Sequence, residues 1–287
     1  MKTGVIGLGA MGAGMARNFH KAGKLHAVWN RTASKAEIIA EETSCMHGES
    51  PEQVAEACEL IVICVSRDED VLDMVNRVAT TVNNDAIVVD TSTVSSETAK
   101  QAQEILREKG AHFLDCPVSG GSEGAVKGTL AMMVGGDEAV LQRARDTLDA
   151  ITRSIVHIGP CGSGQACKAV NQIICAGLYE TVAEALAFGE AAGLDMDKVV
   201  EVVSGGAAAN WVLDNRSSFM LGQSYIPGFK VELHLKDLNI CKSMASSMGI
   251  DSLPIAEIAM ADYEELIEKG HADEDVSSIY RLKHEHE

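Results

Sequence analysis

The chain has 287 residues, 46 % of them apolar and 23 % charged, a composition typical of a globular protein with one large or two smaller domains. Aspartate and glutamate outnumber lysine and arginine by 42 to 24, which gives a formal net charge of −18. Because so acidic a surface repels phosphate backbones and anionic lipids, nucleic acid and membrane surfaces are not expected as partners.

The eight cysteines form no Cys-x-x-Cys pair and mostly lie in apolar runs, as buried thiols do in a reducing compartment. The sequence shows no signal-peptide pattern and no apolar stretch long enough to span a bilayer. These features predict a cytoplasmic protein. The histidines His284 and His286 come without a further set of ligands, so no metal site is predicted.

Short apolar runs alternate with helical stretches in the first half of the chain. The runs are mostly β-branched or aliphatic and are bounded by turn residues, which predicts strands at 2–6, 26–30, 60–65, 86–90, 112–115, 130–134 and 155–158. Helices are predicted at 12–22 and at 95–109, the second with Ser95 as its N-cap. This alternation predicts an α/β domain with a doubly wound parallel sheet of Rossmann type.

The pattern becomes helical after residue 162. Residues 165–192 contain no proline and place apolar side chains at helical spacing, which predicts one long inter-domain helix. Further helices, with no strand, are predicted at 196–203, 211–221, 231–248, 255–269 and 275–282. We therefore expect a nucleotide-binding domain at 1–162 and an all-α domain at 163–287.

The stretch VIGLGAMGAGMARN lies between the first predicted strand and the first predicted helix. It contains Gly7-x-Gly9-x-x-Gly12, in which the glycines allow a tight turn, close approach of a pyrophosphate, and packing of helix on strand. The helix N-terminus offers free N–H groups to the phosphates. A dinucleotide is therefore predicted to bind the loop formed by Gly7, Leu8, Gly9, Ala10, Met11 and Gly12.

The second predicted strand ends in Asn30, Arg31 and Thr32, where an NAD site usually places a carboxylate. A carboxylate would repel a 2′-phosphate, whereas an amide, a guanidinium and a hydroxyl can each donate a hydrogen bond to one. NADP(H) is therefore favoured over NAD(H). The alternative is that Arg31 is a solvated surface charge and that either cofactor serves.

Lys168, Asn171, Gln172 and Cys175 stand at i, i+3, i+4 and i+7 of the long predicted helix, so their side chains share one stripe. Hydride transfer to a carbonyl builds negative charge on oxygen, which a lysine can neutralise and protonate while an asparagine orients it. The alternative is a solvated polar face without chemical function.

The segment FLDCPVSGGSEGAVKGTLAMMVGG, at 113–136, follows a predicted strand, the place where ligands bind in open α/β sheets. Its Ser119, Gly120 and Gly121 offer a hydroxyl and backbone N–H groups that suit a carboxylate. The alternative is a glycine-rich connector.

Five segments, in order and at family-like spacing, resemble the β-hydroxyacid dehydrogenase family, which includes 3-hydroxyisobutyrate dehydrogenase and tartronate semialdehyde reductase. They cover nearly the whole chain and are GLGAMGAGMARN, DTST, DCPVSGGSEGAVKGTLAMMVGG, GSGQACKAVNQ and FKVELHLKDL. Two positions depart from the pattern of many members, which have proline in place of Ser66 and asparagine in place of Gln172.

The resemblance implies a role for residues in each segment. Lys168 matches the catalytic lysine, and Asn171 and Gln172 match the polar pair that assists it. Ser119, Gly120 and Gly121 match the substrate-carboxylate loop, and Phe229 is implied to line the substrate site. Beyond the glycine loop, cofactor contacts are implied for Asn30, Arg31, Thr32, Val65, Ser66, Thr93 and Lys236. Asn210 and Trp211 receive no assigned role.

The leading hypothesis is an NADP(H)-preferring enzyme that interconverts a small anionic β-hydroxy acid and its semialdehyde, with Lys168 as general acid and base. The substrate would belong to the 3-hydroxyisobutyrate, tartronate semialdehyde or succinic semialdehyde class. The alternatives are an imine-reducing enzyme on a similar scaffold and a catalytically silent dinucleotide-binding module, and the presence of Lys168 counts against both. The long apolar helix and the resemblance imply a homodimer or homotetramer.

Overall fold

A computed structural model describes residues 1–284, so His286 of the C-terminal histidine pair lies outside the described residues. The chain divides into two compact units, Met1–Lys168 and Ala169–Glu287. The first is an α/β unit and the second is helical.

The first unit is built on a nine-stranded sheet. The strands are β1 (Thr3–Ile6), β2 (Leu25–Trp29), β3 (Met46–His47), β4 (Leu60–Ile63), β5 (Ile87–Asp90), β6 (His112–Asp115), β7 (Val118–Ser119), β8 (Leu130–Gly135) and β9 (Thr152–Gly159). The first six lie in the order β3-β2-β1-β4-β5-β6 and pair in parallel. This is the strand order of a dinucleotide-binding fold, and it confirms the Rossmann-type prediction.

The far edge of the sheet departs from the wholly parallel arrangement that the sequence suggests. Strand β8 runs antiparallel to β6 and β7, and β9 pairs with β8 in parallel. Strands β6 and β7, separated only by Cys116 and Pro117, run in the same direction along β8. Ten residues join β7 to β8, fewer than a parallel crossover needs. Strands β3 and β7 are two residues each, too short for a hydrophobic period to predict.

Helices cover both faces of the sheet. They are α1 (Gly12–Lys21), α2 (Ala33–Thr43), α3 (Pro51–Ala57), α4 (Asp68–Val78), α5 (Ser96–Arg107), α6 (Gly121–Lys127) and α7 (Glu138–Leu148). As predicted, Ser95 caps α5, because its hydroxyl accepts the Thr98 N–H at 3.1 Å. Successive residues of β1 enter opposite cores, Val5 with Phe19 on one face and Ile6 with Val75 on the other. The central strands are therefore apolar on both faces.

The second unit is helical and begins within a 29-residue helix, α8 (Ser163–Ala191), of about 44 Å. It continues with α9 (Met196–Ser204), α10 (Trp211–Leu221), α11 (Val231–Ser247), α12 (Pro254–Glu268), a 3-10 helix (Val276–Ile279) and α13 (Tyr280–His284). Its core includes Tyr263, Tyr280 and Leu238, and its β-structure among the described residues is one isolated bridge between Lys230 and Asp275.

The predicted helix at 275–282 begins instead as the 3-10 helix. The carboxylate of Asp275 accepts hydrogen bonds from the Ser277 N–H at 3.1 Å and from its hydroxyl at 2.7 Å, which holds the turn in a tight local form. Across residues 1–284, none of the helices is both long and apolar enough to cross a membrane.

Candidate active site

The glycine loop joins β1 to α1 and leaves room for a ligand at one position. Gly7 has φ of +94°, and a Cβ there would lie 2.2 Å from the Cys64 carbonyl oxygen. A Cβ on Gly12 would lie 1.9 Å from the Gly7 carbonyl oxygen, whereas one on Gly9 would meet no atom within 4 Å. Packing therefore requires two of the glycines, and the third faces the open space in which a pyrophosphate would approach the start of α1.

The predicted adenosine-side residues follow β2, beside the glycine loop. The Asn30 side-chain oxygen accepts the Leu8 N–H at 2.8 Å, and its amide nitrogen donates to the Thr32 carbonyl at 3.0 Å. The Asn30 side chain thus holds the glycine loop in place through Leu8. Arg31 is exposed over 85 % of its side chain and pairs with Asp70 at 3.2 Å, and Thr32 precedes α2.

Three further predicted cofactor residues follow the next strands of the sheet. Val65 and Ser66 come after β4, and Thr93 comes after β5. The Val65 N–H donates to the Ser92 hydroxyl at 2.9 Å, which ties these two segments together. Because β2, β1, β4 and β5 are parallel neighbours, their carboxyl ends bring all the predicted cofactor segments of the first unit to one edge.

The predicted carboxylate loop begins in β7 and ends at the start of α6. Gly120 and Gly121 have φ of +131° and +62°, conformations that favour glycine. The helix that follows is held from α1, because the buried Asn18 amide donates to the Ala125 carbonyl at 2.7 Å. Ser119 pairs with Ala131 of the antiparallel strand β8.

Lys168 lies near the start of α8 and is only 7 % exposed. Its Nζ donates to the Val118 carbonyl at 3.0 Å, which brings the ammonium group next to the Ser119 loop. The start of α8 is fixed by the buried Asp115, whose carboxylate accepts the N–H groups of Gly162 at 2.8 Å and Gln165 at 3.0 Å. Burial raises the pKa of Asp115, and these N–H bonds oppose the rise.

The predicted polar residues of the second unit form a chain of hydrogen bonds. The Asn171 amide donates to the Gln172 oxygen at 2.7 Å, and the Gln172 amide donates to the Asp237 carboxylate at 2.6 Å. Lys236 pairs with the same carboxylate at 2.8 Å. Sequence reasoning missed Asp237, although its place directly after Lys236 in FKVELHLKDL was a usable signal.

Phe229 is held beside a buried histidine. Its N–H donates to the Asp275 carboxylate at 3.2 Å, and its ring lies 5.3 Å from the ring of His234. Asp275 also accepts the Gly228 N–H at 2.9 Å and pairs with Arg216 at 3.3 Å. The buried Asp275 carboxylate therefore fixes the backbone at Gly228 and Phe229.

Asn210 and Trp211 support α10. The Asn210 side chain caps this helix by accepting the Leu213 N–H at 2.9 Å. The Arg216 guanidinium lies 4.8 Å from the centre of the Trp211 ring, a cation–π contact on the same helix. The structure thus gives both residues a local structural role.

Two protein families match successive parts of the chain. Residues 2–159 match the family described as the NAD binding domain of 6-phosphogluconate dehydrogenase, and residues 162–283 match the family described as NAD-binding of NADP-dependent 3-hydroxyisobutyrate dehydrogenase. The 2-hydroxy-3-oxopropionate reductase of Escherichia coli is 37 % identical over 254 residues, covering 88 % of this chain and 86 % of the relative.

Solved structures show the same fold. The 3-hydroxyisobutyrate dehydrogenase of Mycobacterium tuberculosis, solved with L-serine, has a TM-score of 0.87 and 28 % identity, covering 98 % of this chain and 99 % of the other. An imine reductase from Bacillus cereus has a TM-score of 0.61 and 21 % identity, covering 98 % of each chain, and so shares the fold alone. The chain belongs to the β-hydroxyacid dehydrogenase family and is an oxidoreductase that uses a nicotinamide dinucleotide.

Proposed function

We propose that this protein is an NADP(H)-preferring enzyme that interconverts a small β-hydroxy acid and its semialdehyde, with Lys168 as general acid and base. The observation that carries the proposal is the 3.0 Å hydrogen bond from Lys168 Nζ to the Val118 carbonyl. It joins a nearly buried ammonium group to a glycine loop suited to a carboxylate, in the unit that also contains the dinucleotide loop.

A nicotinamide bound at this site would supply the hydride for reduction and would accept it in oxidation. Lys168 moves the accompanying proton: its ammonium form gives a proton to the substrate's carbonyl oxygen, and its neutral form takes one from the hydroxyl. Because Lys168 is almost fully buried, its charge acts more strongly on that oxygen than the charge of an exposed lysine would.

The substrate's carboxylate binds Ser119, Gly120 and Gly121 through the serine hydroxyl and backbone N–H groups. Asn171 orients the reacting oxygen, and Gln172 fixes Asn171 through the chain that ends on Asp237. Phe229 packs against the substrate's carbon chain. The substrate class is that of 3-hydroxyisobutyrate, tartronate semialdehyde or succinic semialdehyde, and the name of the E. coli relative is in keeping with this choice.

The preference for NADP(H) rests on Arg31 and Thr32, since both amide atoms of Asn30 are engaged in bracing the loop. No carboxylate stands at the end of β2, and the exposed Arg31 guanidinium can exchange Asp70 for a 2′-phosphate. The family that matches residues 162–283 is described as NADP-dependent, which favours the same cofactor. Lys236 is a further residue that we assign to cofactor binding, as the family resemblance implies.

We also infer that the enzyme self-associates and works in a reducing compartment such as the cytoplasm. Val170, Ile174 and Phe188 are exposed apolar side chains along α8. All eight cysteines are free, and burial raises the pKa of Cys64 to about 11, which keeps that thiol protonated and unreactive at neutral pH.

The test follows nicotinamide absorbance while the protein meets tartronic, succinic and methylmalonic semialdehydes, with NADPH and NADH in parallel. We expect turnover with NADPH, and a fall in kcat/KM of roughly 10²- to 10⁴-fold in Lys168→Ala. Lys127→Ala removes an exposed lysine of α6 and is the control, with unchanged turnover. NADPH binding without turnover of any semialdehyde would favour the silent module, and equal rates with both cofactors would refute the preference for NADP(H).

A further inference from the structure

Gln165 is a buried side chain to which the proposed reaction assigns no role. It is 1 % exposed and lies three residues before Lys168 on α8. Its amide nitrogen donates to the Ser92 carbonyl at 2.9 Å, and its oxygen accepts the Val94 N–H at 3.2 Å. The two bonds lie on either side of Thr93, for which the family resemblance implies a contact with the cofactor.

The bracketed segment is itself bonded to its neighbours in the cofactor half of the site. The Ser92 N–H donates to the Asp90 carboxylate at 3.0 Å, and the Ser92 hydroxyl accepts the Val65 N–H at 2.9 Å. A continuous path of hydrogen bonds therefore runs from the segment after β4, through the segment after β5, to Gln165. The first turn of α8 is fixed to the ends of these strands.

The same residue is fixed on its other side to the substrate half of the site. The Gln165 N–H donates to the Asp115 carboxylate at 3.0 Å, and Asp115 directly precedes the segment that leads to Ser119. Three residues along a helix return the side chain to nearly the same face, about 4.5 Å further along the axis. A shift or rotation of the first turn therefore moves Lys168 Nζ relative to both Thr93 and Ser119.

We propose that Gln165 is a positioning residue, which sets the place of Lys168 relative to the loop that carries Thr93. This inference rests on the proposed function of Lys168 as the proton donor. Gln165 does not touch the reacting atoms. Its amide provides one donor and one acceptor to a buried peptide segment, and no apolar or singly bonding side chain of that size satisfies both groups.

The test compares two substitutions of Gln165 with one matched control. Gln165→Leu keeps the approximate volume and removes both side-chain bonds. Gln165→Glu keeps the acceptor for the Val94 N–H, but it can donate to the Ser92 carbonyl only when it is protonated. Ser96→Ala is the control, because it removes the 2.8 Å hydrogen bond from Ser96 to the Gly162 carbonyl, another tie at the start of α8 that leaves Thr93 untouched.

For Gln165→Leu we expect kcat to fall roughly 10- to 100-fold, as for an ångström-scale displacement of a catalytic group, while the KM for NADPH stays within about threefold. Gln165→Glu is expected to approach wild-type kcat at low pH and to lose activity as rising pH ionises the new carboxyl, an ionisation absent from the wild-type profile. Ser96→Ala should keep kcat within about twofold.

Nuclear magnetic resonance of reductively ¹³C-methylated protein supplies a second measurement. The signal of Lys168 is identified in these spectra because it is lost in Lys168→Arg.

The Lys168 signal should shift in Gln165→Leu and stay in place in Ser96→Ala. A kcat within twofold of wild type in Gln165→Leu, an equal loss in Ser96→Ala, or an unmoved Lys168 signal would each overturn the positioning role. If the wild-type protein reduces no semialdehyde, the proposed function fails, and the Lys168 signal alone then decides whether Gln165 positions this lysine.

Discussion

At the scale of single residues, the three glycines of the loop differ in whether the fold itself excludes a side chain at their position. A Cβ on Gly12 would collide with the Gly7 carbonyl, whereas a Cβ on Gly9 would enter open space. The sequence motif treats the three glycines alike, since it records only their spacing. The structure divides them into Gly7 and Gly12, which packing requires, and Gly9, which faces the open space that we assign to the ligand.

Gly12→Ala is therefore expected to destabilise the protein by roughly 1–3 kcal/mol, because the new methyl group forces α1 away from the loop. Gly9→Ala is expected to leave the free energy of unfolding unchanged or to raise it by up to about 1 kcal/mol, and to weaken NADPH binding at least about tenfold, because its methyl group occupies the approach of the pyrophosphate. Urea denaturation and nicotinamide fluorescence titration measure the two quantities. Normal NADPH affinity in Gly9→Ala would contradict the assignment of this space.

At the scale of elements, α3 and α4 are joined by a bidentate ion pair. Arg77 donates to Glu52 at 2.7 and 3.0 Å, and its guanidinium also lies 5.4 Å from the centre of the Trp29 ring at the end of β2. The hydrogen bonds from Arg77 lower the pKa of Glu52 to about 2 from its usual 4.5. The pair thus couples the packing of two helices to pH.

Glu52→Gln is expected to lower the free energy of unfolding by about 1 kcal/mol at pH 7, the upper range for a partly exposed pair. Because the pKa of Glu52 is lower in the folded state, the pair stabilises the protein above about pH 4.5, and this contribution disappears as the pH falls towards 2. Urea denaturation of both proteins at several pH values measures the difference. Glu104→Gln, within the exposed pair of α5, is the control and should leave the unfolding free energy nearly unchanged. A difference between wild type and Glu52→Gln that stays constant from pH 7 to pH 3 would contradict the coupling.

Helices and strands could be predicted from the sequence where the pattern of their own residues determines them. Strands β4 to β6 and helices α8 to α12 follow from hydrophobic periodicity and turn residues, with ends that shift by at most two residues. Strands β3 and β7 have two residues each, too few to show the alternation that predicts a strand. Likewise Asp115 and Gln165 could not be predicted as supports of the site, because their partners lie about 50 to 70 residues away and are brought close only by the sheet.

At the scale of the whole molecule, α8 is the longest helix that the structure describes, and it presents apolar side chains to solvent. Ile174 is 57 % exposed, and Val170 and Phe188 are also exposed along the same helix. Exposed apolar side chains grouped along one helix are typical of an interaction surface, and the occupant that we propose is a second copy of the chain. We therefore place the proposed self-association on this helix.

Ile174→Lys is expected to shift the protein from a dimer or tetramer towards smaller species in sedimentation velocity, because the interface would have to bury an unpaired charge. Ile38→Lys is the matched control, since Ile38 on α2 is 52 % exposed and similar in size. It should leave the sedimentation coefficient unchanged. A monomeric wild-type protein, or the same distribution in both variants, would argue against an interface on α8.

The bracing of the glycine loop by Asn30 also bears on how such an enzyme can evolve. The residue that stabilises the loop and the residue that carries the positive charge are neighbours, Asn30 and Arg31, but they use separate partners, Leu8 and Asp70. A mutation at Arg31 can therefore alter the charge offered to a cofactor while the loop keeps its support. With the proposed role of Arg31 in binding NADP(H), a single-codon change at this position would alter the cofactor preference in descendants of this gene without compensating substitutions in the fold.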